Sequence, residues 1–392
     1  MTRVTLREES NERAVRLYMA FELSEAKWKL AFGDGGNPRL VTIESRRLDL
    51  LEKELGKAKA KLGLPEEVGV VSCYEAGRDG FWLHRYLESR GVKSLVIDPA
   101  SLEVNRRMRR PKTDRLDVQK IYRSLVRHDR EESGVFSVVR VPSVEQEDER
   151  RVTREIERLQ GESTAHSNRV RSLLITQGIA TATISKLPAI VDSLRTWDGA
   201  TLCENLKAEI MREHERWRLA QVQIKDLRRK QSALLKEATK QEEEIAPLTA
   251  PNARAVEKVL RLVALCGIGD RSAWPLVQEF FYKRFVNRRE VGAAAGLVGS
   301  PFASGTTEKE QGISKAGNKR VRRIMIELAW CWTRFQPGSE IAMWFDARFA
   351  EGGKRLRRVG IVGVARRLLI ALWRYLEHGV VPAGARLKEI AS

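Results

Sequence analysis

Two long runs of helical spacing set the frame of this chain. Val152, Ile156, Leu159, Ser163, His166, Val170, Leu173 and Gln177 keep a 4-3-4-3 rhythm. Leu206, Ile210, Glu213, Trp217, Ala220, Ile224, Leu227, Gln231 and Leu234 repeat it. Such a rhythm puts one stripe of residues along one side of a helix, and that stripe must be buried against a partner. Residues 181–200 join the two runs. The simplest arrangement is an antiparallel helical hairpin, a coiled-coil arm over 141–250 that separates two globular parts. Polar seats in both seams argue against an uninterrupted zipper, and a spacer or an oligomerisation device fits the pattern equally well.

The segments before the arm read differently. After a charged tail over 1–14, Val15–Glu22, Trp28–Phe32 and Leu40–Ile43 have the composition and Gly/Pro punctuation of short strands. Asp49–Leu62 has helical spacing, Val68–Tyr74 is an apolar run of buried-strand length, and Gly80–Gly91 and Lys93–Ile97 predict a further helix and strand. The expectation over 15–140 is an α/β domain around a mixed sheet. Beyond Pro247 and Pro251, residues 251–392 predict a mainly α domain. In it, Cys266-Gly267-Ile268-Gly269 between two helices resembles a helix-hairpin-helix turn, a weak signal when alone.

Charge narrows the partners. The 392 residues hold 71 Lys and Arg against 52 Asp and Glu, a formal charge of +19. Residues 251–392 carry 25 Lys and Arg against 12 Asp and Glu, so +13 of that excess lies there. Arg106, Arg107, Arg109, Arg110 and Lys112 crowd a second basic knot. Concentrated positive charge of this kind points to phosphate contacts, and so to nucleic acid held through counterion release. The apolar C-terminal stretch is broken by Arg366, Arg367 and Arg374, and the charged N-terminal residues contain no apolar leader run. A cytoplasmic protein with no membrane partner is expected. Cys73, Cys203, Cys266 and Cys331 form no C-x-x-C pair and are expected to be buried thiols of a reducing compartment. The five histidines stand in no zinc-ligand spacing. Trp330, Trp332, Trp344 and Trp373 are read as core residues.

Four carboxylates have positions suited to chemistry on phosphodiesters. Glu22 ends the first strand, Glu75 ends the central apolar strand, and Asp114 and Asp117 open a helix with i, i+3 spacing on one face. Each one alone is more simply a cap or a surface acid, and only the four together, beside a basic knot, balance that reading. An acid ending an apolar strand, however, is costly to leave without a partner or metal. Hard divalent cations require several converging oxygens.

At these residues the chain resembles the DEDD-type insertion-sequence transposases, the group known as "IS one-ten". The resemblance runs through Phe21-Glu22-Leu23-Ser24-Glu25, Glu75-Ala76-Gly77 and Lys112-Thr113-Asp114-Arg115-Leu116-Asp117. It continues in Ala295-Gly296-Leu297, Ser304-Gly305 and Ile313-Ser314-Lys315-Ala316-Gly317-Asn318-Lys319-Arg320. It implies a ribonuclease H-like fold of the Holliday-junction-resolvase (RuvC) type at the N-terminus and a C-terminal domain bearing a serine nucleophile. Glu22, Glu75, Asp114 and Asp117 are then the ligands of Mg²⁺, with Mn²⁺ as a substitute, and Ser304 forms a covalent phosphoserine link to DNA. Where the family has Asp this chain has Glu22, one methylene longer, which shifts the carboxylate by roughly 1.5 Å. The implied partners are donor and target DNA, a structured guide RNA encoded by the element, and further copies of the chain in a dimer or tetramer. Lys315, Lys319, Arg320, Arg322 and Arg323 are candidate backbone contacts, as is the Arg106–Lys112 knot. Two alternatives stay open: a structure-selective metal-dependent nuclease in which Ser304 is a turn residue, and a catalytically inactive nucleic-acid-binding relative.

Overall fold

The computed structural model describes residues 15–102, 114–180, 183–241, 255–304 and 307–388. Contacts divide the chain into two units, Met1–Val141 and Pro142–Ser392. No helix among the described residues is long and apolar enough to cross a membrane.

The first unit is built on a five-stranded sheet in the order β3-β2-β1-β4-β5. β1 (Arg16–Leu23), β2 (Lys27–Gly33) and β3 (Arg39–Glu44) form an antiparallel meander, whereas β4 (Gly69–Glu75) and β5 (Lys93–Ile97) run parallel to β1. The central strands are apolar on both faces because both are covered. Leu17, Met19, Phe21 and Tyr74 pack in one core with Leu51 of α1 (Leu48–Lys61) and Leu83 of α2 (Trp82–Ser89). Tyr18, Ala20, Val71 and Cys73 turn the other way, into a core with Val118, Ile121 and Leu125 of α3 (Asp114–Asp129). The direction of α3 is fixed by its last turn. Tyr18 donates to Asp129 at 2.9 Å, and Arg16 reaches the same carboxylate at 2.9 Å. The C-terminal end of α3 therefore lies at the start of β1, and its first turn at the carboxyl ends of β1 and β4.

In the second unit α4 (Val144–Ile175) and α6 (Glu204–Gln241) lie antiparallel. Ser143 opens α4 with a capping box shared with Gln146. Ile156, Leu159, Ala220 and Ile224 meet along the seam. The polar seats are paired across it: Gln221 donates to Ser163 at 2.7 Å and Gln231 to Thr153 at 3.1 Å. His166 Nδ1 stands 2.7 Å from the buried Glu213 carboxylate, which also takes Arg169. At the far end Val170, Leu174 and Ile210 pack with Leu187 of the short α5 (Leu187–Ile190).

The rest of the unit is a helical module. α7 (Ala255–Ala264) and α8 (Asp270–Leu276) lead into a π-helical turn over Val277–Phe281, followed by α9 (Arg288–Ala294). β6 (Gly299–Ser304) and β7 (Thr307–Ile313) pair as an antiparallel hairpin. α10 (Lys319–Phe335), α11 (Glu340–Phe349) and α12 (Lys354–His378) complete it around Leu328, Trp332, Val364 and Leu368. The π turn hooks the helix pair to this module. Thr153 donates to Gln278 at 2.5 Å, and Arg154 holds the buried Glu279 by two bonds of 2.6 and 3.0 Å. The Arg150 guanidinium lies 3.7 Å from the centre of the Tyr282 ring. Burial alone drives the Glu279 carboxyl upward, but Arg154, Arg320 and Arg150 outweigh it and hold it below the usual Glu range.

One expectation changes, and two gain detail. Of the four cysteines only Cys73 is buried, Cys203 is exposed, and Cys266 and Cys331 lie between. The mainly α region carries a β-hairpin, with Ser304 on a strand. In the Gly267–Gly269 turn the amides of Cys266 and Ile268 donate to Arg386 and Leu265 carbonyls, and the buried Gln336 donates to the Cys266 carbonyl. That turn is a joint of the core in which the Cys266 and Ile268 amides are already engaged.

Removing the Glu279 charge leaves two guanidiniums facing a neutral amide. Glu279→Gln is expected to destabilise the protein by about 3 kcal/mol, roughly 6–10 °C in Tm. A carboxylate depressed in the folded state stabilises above its unfolded value and loses that stabilisation as pH falls through the folded one. Thermal melts should show the difference in full at pH 7 and shrinking below about pH 4.3.

Candidate functional site

The parallel register of β1 and β4 pairs Phe21 with Tyr74. Glu22 and Glu75, one residue further on, consequently stand side by side at the carboxyl ends of neighbouring strands. Alternation turns both toward the sheet face that α3 covers, since Ala20 and Cys73 pack there. On its other side Glu22 is in register with Lys29 of β2. Both carboxylates are half-buried and line an open cleft of about 430 Å³ between the two strand ends.

α3 brings the aspartates to this end of the sheet. Asp117 is half-buried and one turn ahead of Ile121, which packs against the sheet and whose carbonyl accepts from Cys73 at 3.9 Å. Asp114 begins the helix, and its side chain lies outside the described residues. The positive end of the helix dipole is at the same place and favours anions there. Two acids that sequence reasoning passed over also line the cleft. Asp79 pairs with Arg46 at 3.4 Å, and Glu25 with Arg78 at 3.1 Å. Among the described residues no three His, Cys, Asp or Glu side chains stand close enough together to hold a metal ion. The basic knot from Arg106 to Lys112 lies outside the described residues.

Ser304 belongs to the second unit. It is the last residue of β6, in register with Thr307, at the end of the hairpin opposite the Gly299–Ile313 pair. The hairpin springs from a joint made by the two glycine-containing blocks. Gly296 has φ of +66°, and a Cβ there would stand 1.9 Å from the Ala316 carbonyl oxygen. Gly317 has φ of +94°, and a Cβ would meet the Ala294 oxygen at 2.4 Å. The backbones thus pass each other where only glycine fits. Asn318 N–H donates to the Ala294 carbonyl at 2.9 Å and Ser314 N–H to that of Val298 at 2.8 Å. Arg322 donates to the Lys315 carbonyl at 2.8 Å, and the Asn318 side chain caps α10. Lys315 itself is left-handed, with φ of 56°.

The basic residues of this block divide. Arg320 bonds Glu157 at 2.9 Å and Glu279 at 3.3 Å, and Arg323 lies 3.6 Å from Glu157. Arg320, Arg322 and Arg323 are thus engaged within the protein, and Lys315 and Lys319 are exposed.

Residues 260–342, which contain this joint, the hairpin and all of α10, match the family described as Transposase IS116/IS110/IS902. A Sinorhizobium fredii protein named as a transposase, y4rJ, is 37% identical over 380 residues, covering 95% of this chain and 94% of its own. The chain belongs to the IS116/IS110/IS902 transposase family. A second Sinorhizobium fredii relative with a transposase name, y4qE, is 29% identical over 269 residues, 68% of this chain and 60% of its own. The transposase of insertion sequence element IS1328 from Yersinia enterocolitica is 27% identical over 129 residues, 32% and 37% of the two chains. As a transposase of this family, the chain serves an insertion sequence and its substrate is DNA.

The joint is open to test. Gly296→Ala and Gly317→Ala should each cost about 2 kcal/mol or more, since the added methyl meets backbone at a positive φ. Gly161→Ala, on α4 with open space around it, should instead raise stability by about 0.5–1 kcal/mol. Chemical denaturation of the three variants measures both signs.

Proposed function

We propose that the chain is a Mg²⁺-dependent DNA recombinase that cuts and rejoins strands through a serine-linked intermediate, guided by a structured RNA. In this reading 15–140 is a RuvC-type ribonuclease H-like domain, 141–250 a coiled-coil arm and 251–392 the serine-bearing transposase domain. The observation that carries it is the register of β1 with β4, which sets Glu22 beside Glu75 at the sheet end where α3 starts. Two carboxylates on adjacent strands and two aspartates in the first turn of α3 are oxygen donors of the kind a hard divalent cation takes, and they would have to draw closer together to share one. Glu22, Glu75, Asp114 and Asp117 are the residues that would hold it. When bound, it supplies positive charge to the phosphate oxygens and lowers the pKa of a coordinated hydroxyl.

Ser304 supplies the nucleophile. Its Oγ attacks phosphorus, the bond from phosphorus to the departing strand's oxygen breaks, and that oxygen takes up the serine proton. The phosphodiester becomes a phosphoserine ester, so a later attack by another strand's hydroxyl restores the diester and the serine without ATP. The hairpin presents Ser304 at its end, and the glycine joint gives that end a fixed base. The acids and the serine lie in different units, and the reading has them meet from neighbouring copies in a dimer or tetramer. The guide RNA rests on the family resemblance, and the +19 charge supports a polyanionic partner of either kind.

Strand cleavage assayed with element-end DNA, Mg²⁺ and the element's own RNA tests this. Glu75→Gln, Asp117→Asn and Ser304→Ala should each lower cleavage by roughly a hundredfold or more. A mixture of Ser304→Ala and Glu75→Gln chains should recover part of the activity. Cleavage by Ser304→Ala at the native rate would identify a hydrolytic nuclease instead. Native rates in both acid variants would remove the metal-site assignment.

A further inference from the structure

The helical module carries a second concave surface that, among the described residues, shares no lining residue with the glycine joint or the hairpin. A cleft of about 710 Å³ opens along α12, within the range of ligand-sized sites. Its floor is the stripe Gly363, Arg366, Arg367, Ile370, Ala371 and Arg374, whose spacing lies on one side of the helix. Arg288 and Arg289 at the start of α9 and Trp344 of α11 contribute to the walls, with Val380, Val381 and Pro382 following α12.

Five arginines converge on this cleft, against a single carboxylate, Glu340. Among the described residues none of the five is in a salt bridge, in contrast to Arg320 and Arg323, which Glu157 engages. Keeping like charges together without counter-charge raises the energy of the folded chain, and an anionic ligand reverses that cost. The cleft also has a flat aromatic element. The Arg367 guanidinium lies 4.1 Å from the centre of the Trp344 ring. Gly363 lets that ring approach the helix, since a Cβ there would stand 2.9 Å from Trp344 Cη2.

Guanidiniums outside any salt bridge among the described residues match phosphates, and an Arg–Trp plate beside apolar Ile370 and Pro382 matches the face of a base. A duplex hides base faces in its stack, whereas an unpaired strand offers both chemistries at once. We propose that this cleft binds an unpaired stretch of nucleic acid, with phosphates on Arg288, Arg289, Arg366 and Arg374 and a base stacked on the Arg367–Trp344 plate. The proposal rests on the reading of the chain as a transposase working on nucleic acid and is independent of the chemistry at Ser304.

Fluorescence anisotropy with the full-length chain tests it, using labelled oligo(dT), oligo(U) and a duplex of matched length. Arg289→Glu and Arg374→Glu, both at exposed positions, should fold with a Tm at or above the native value, since each relieves like-charge repulsion. Each should weaken single-strand binding by about tenfold or more and leave duplex binding within about threefold. Each lost phosphate contact should flatten the plot of log affinity against log salt by about 0.7. Trp344→Ala should also lose about tenfold, with Trp344→Phe retaining most of the affinity because a ring remains to stack. A larger loss for oligo(U) than for oligo(dT) assigns the cleft to RNA, and the reverse assigns it to DNA. Unchanged single-strand affinity, or equal losses for strand and duplex, overturns the proposal. If cleft variants bind normally while the native chain still cleaves DNA, only the cleft assignment fails. If the native chain binds neither strand nor duplex, the nucleic-acid reading fails with it.

Discussion

Neighbouring strands of a sheet stand about 4.8 Å apart, and two carboxylates placed side by side at that spacing repel. The N-terminal unit builds this arrangement into its centre. β1 and β4 are its most apolar strands, their parallel pairing is pinned by cores on both faces, and the same register that buries Phe21 and Tyr74 sets Glu22 against Glu75. A slip of one residue would turn the buried side chains of one strand to the wrong face, so the acidic pair is as firmly specified as the core. The Asp129 contacts with Tyr18 and Arg16 then orient α3, so that its first turn and the positive end of its dipole arrive where negative charge is concentrated.

The second unit solves a different problem, which is to present a short polar hairpin from a helical body. Backbone does this work. Gly296 and Gly317 allow two chain segments to pass at distances that no Cβ permits, and amide–carbonyl bonds tie the crossing to both ends of the hairpin. The π-helical turn contributes Gln278 and Glu279, one engaging the start of the long helix pair and the other gathering Arg154 and Arg320. The block that holds Ser304 is in this way bound to the base of the helix pair through charge pairs.

The five strands of the sheet were legible because apolar runs of strand length, bounded by Gly, Asn and Pro, leave few other readings. The long helices were legible from seam spacing, but the roles of their polar seats were not. Ser163 and Gln221, or Thr153 and Gln231, satisfy each other only in one antiparallel register, and spacing along a single helix carries no information about register. The hairpin was missed for a related reason. Thr307-Glu308-Lys309-Glu310-Gln311-Gly312 shows no apolar alternation, and Pro301 sits in the opposing strand, so the sequence carries no strand pattern there. The ion pairs of Arg320 and Arg323 were not legible because Glu157 and Glu279 are remote in sequence. At the sheet end, strand-end position singled out Glu22 and Glu75, which the β1–β4 register sets side by side. Asp79 and Glu25 escaped notice because their arginine partners are set by loop geometry.

The central claim is that carboxylates of the N-terminal unit and the Ser304 hydroxyl act on one phosphorus atom. Its most direct test is to incubate the full chain with element-end DNA, guide RNA and Mg²⁺, digest exhaustively with nuclease and protease, and map the nucleotide-bearing peptide by mass spectrometry. The account predicts a nucleotide on Ser304 in the native chain, with little or none when Glu75→Gln or Asp117→Asn is the only form present. A nucleotide on another residue, or full labelling of Ser304 in either acid variant, would contradict it.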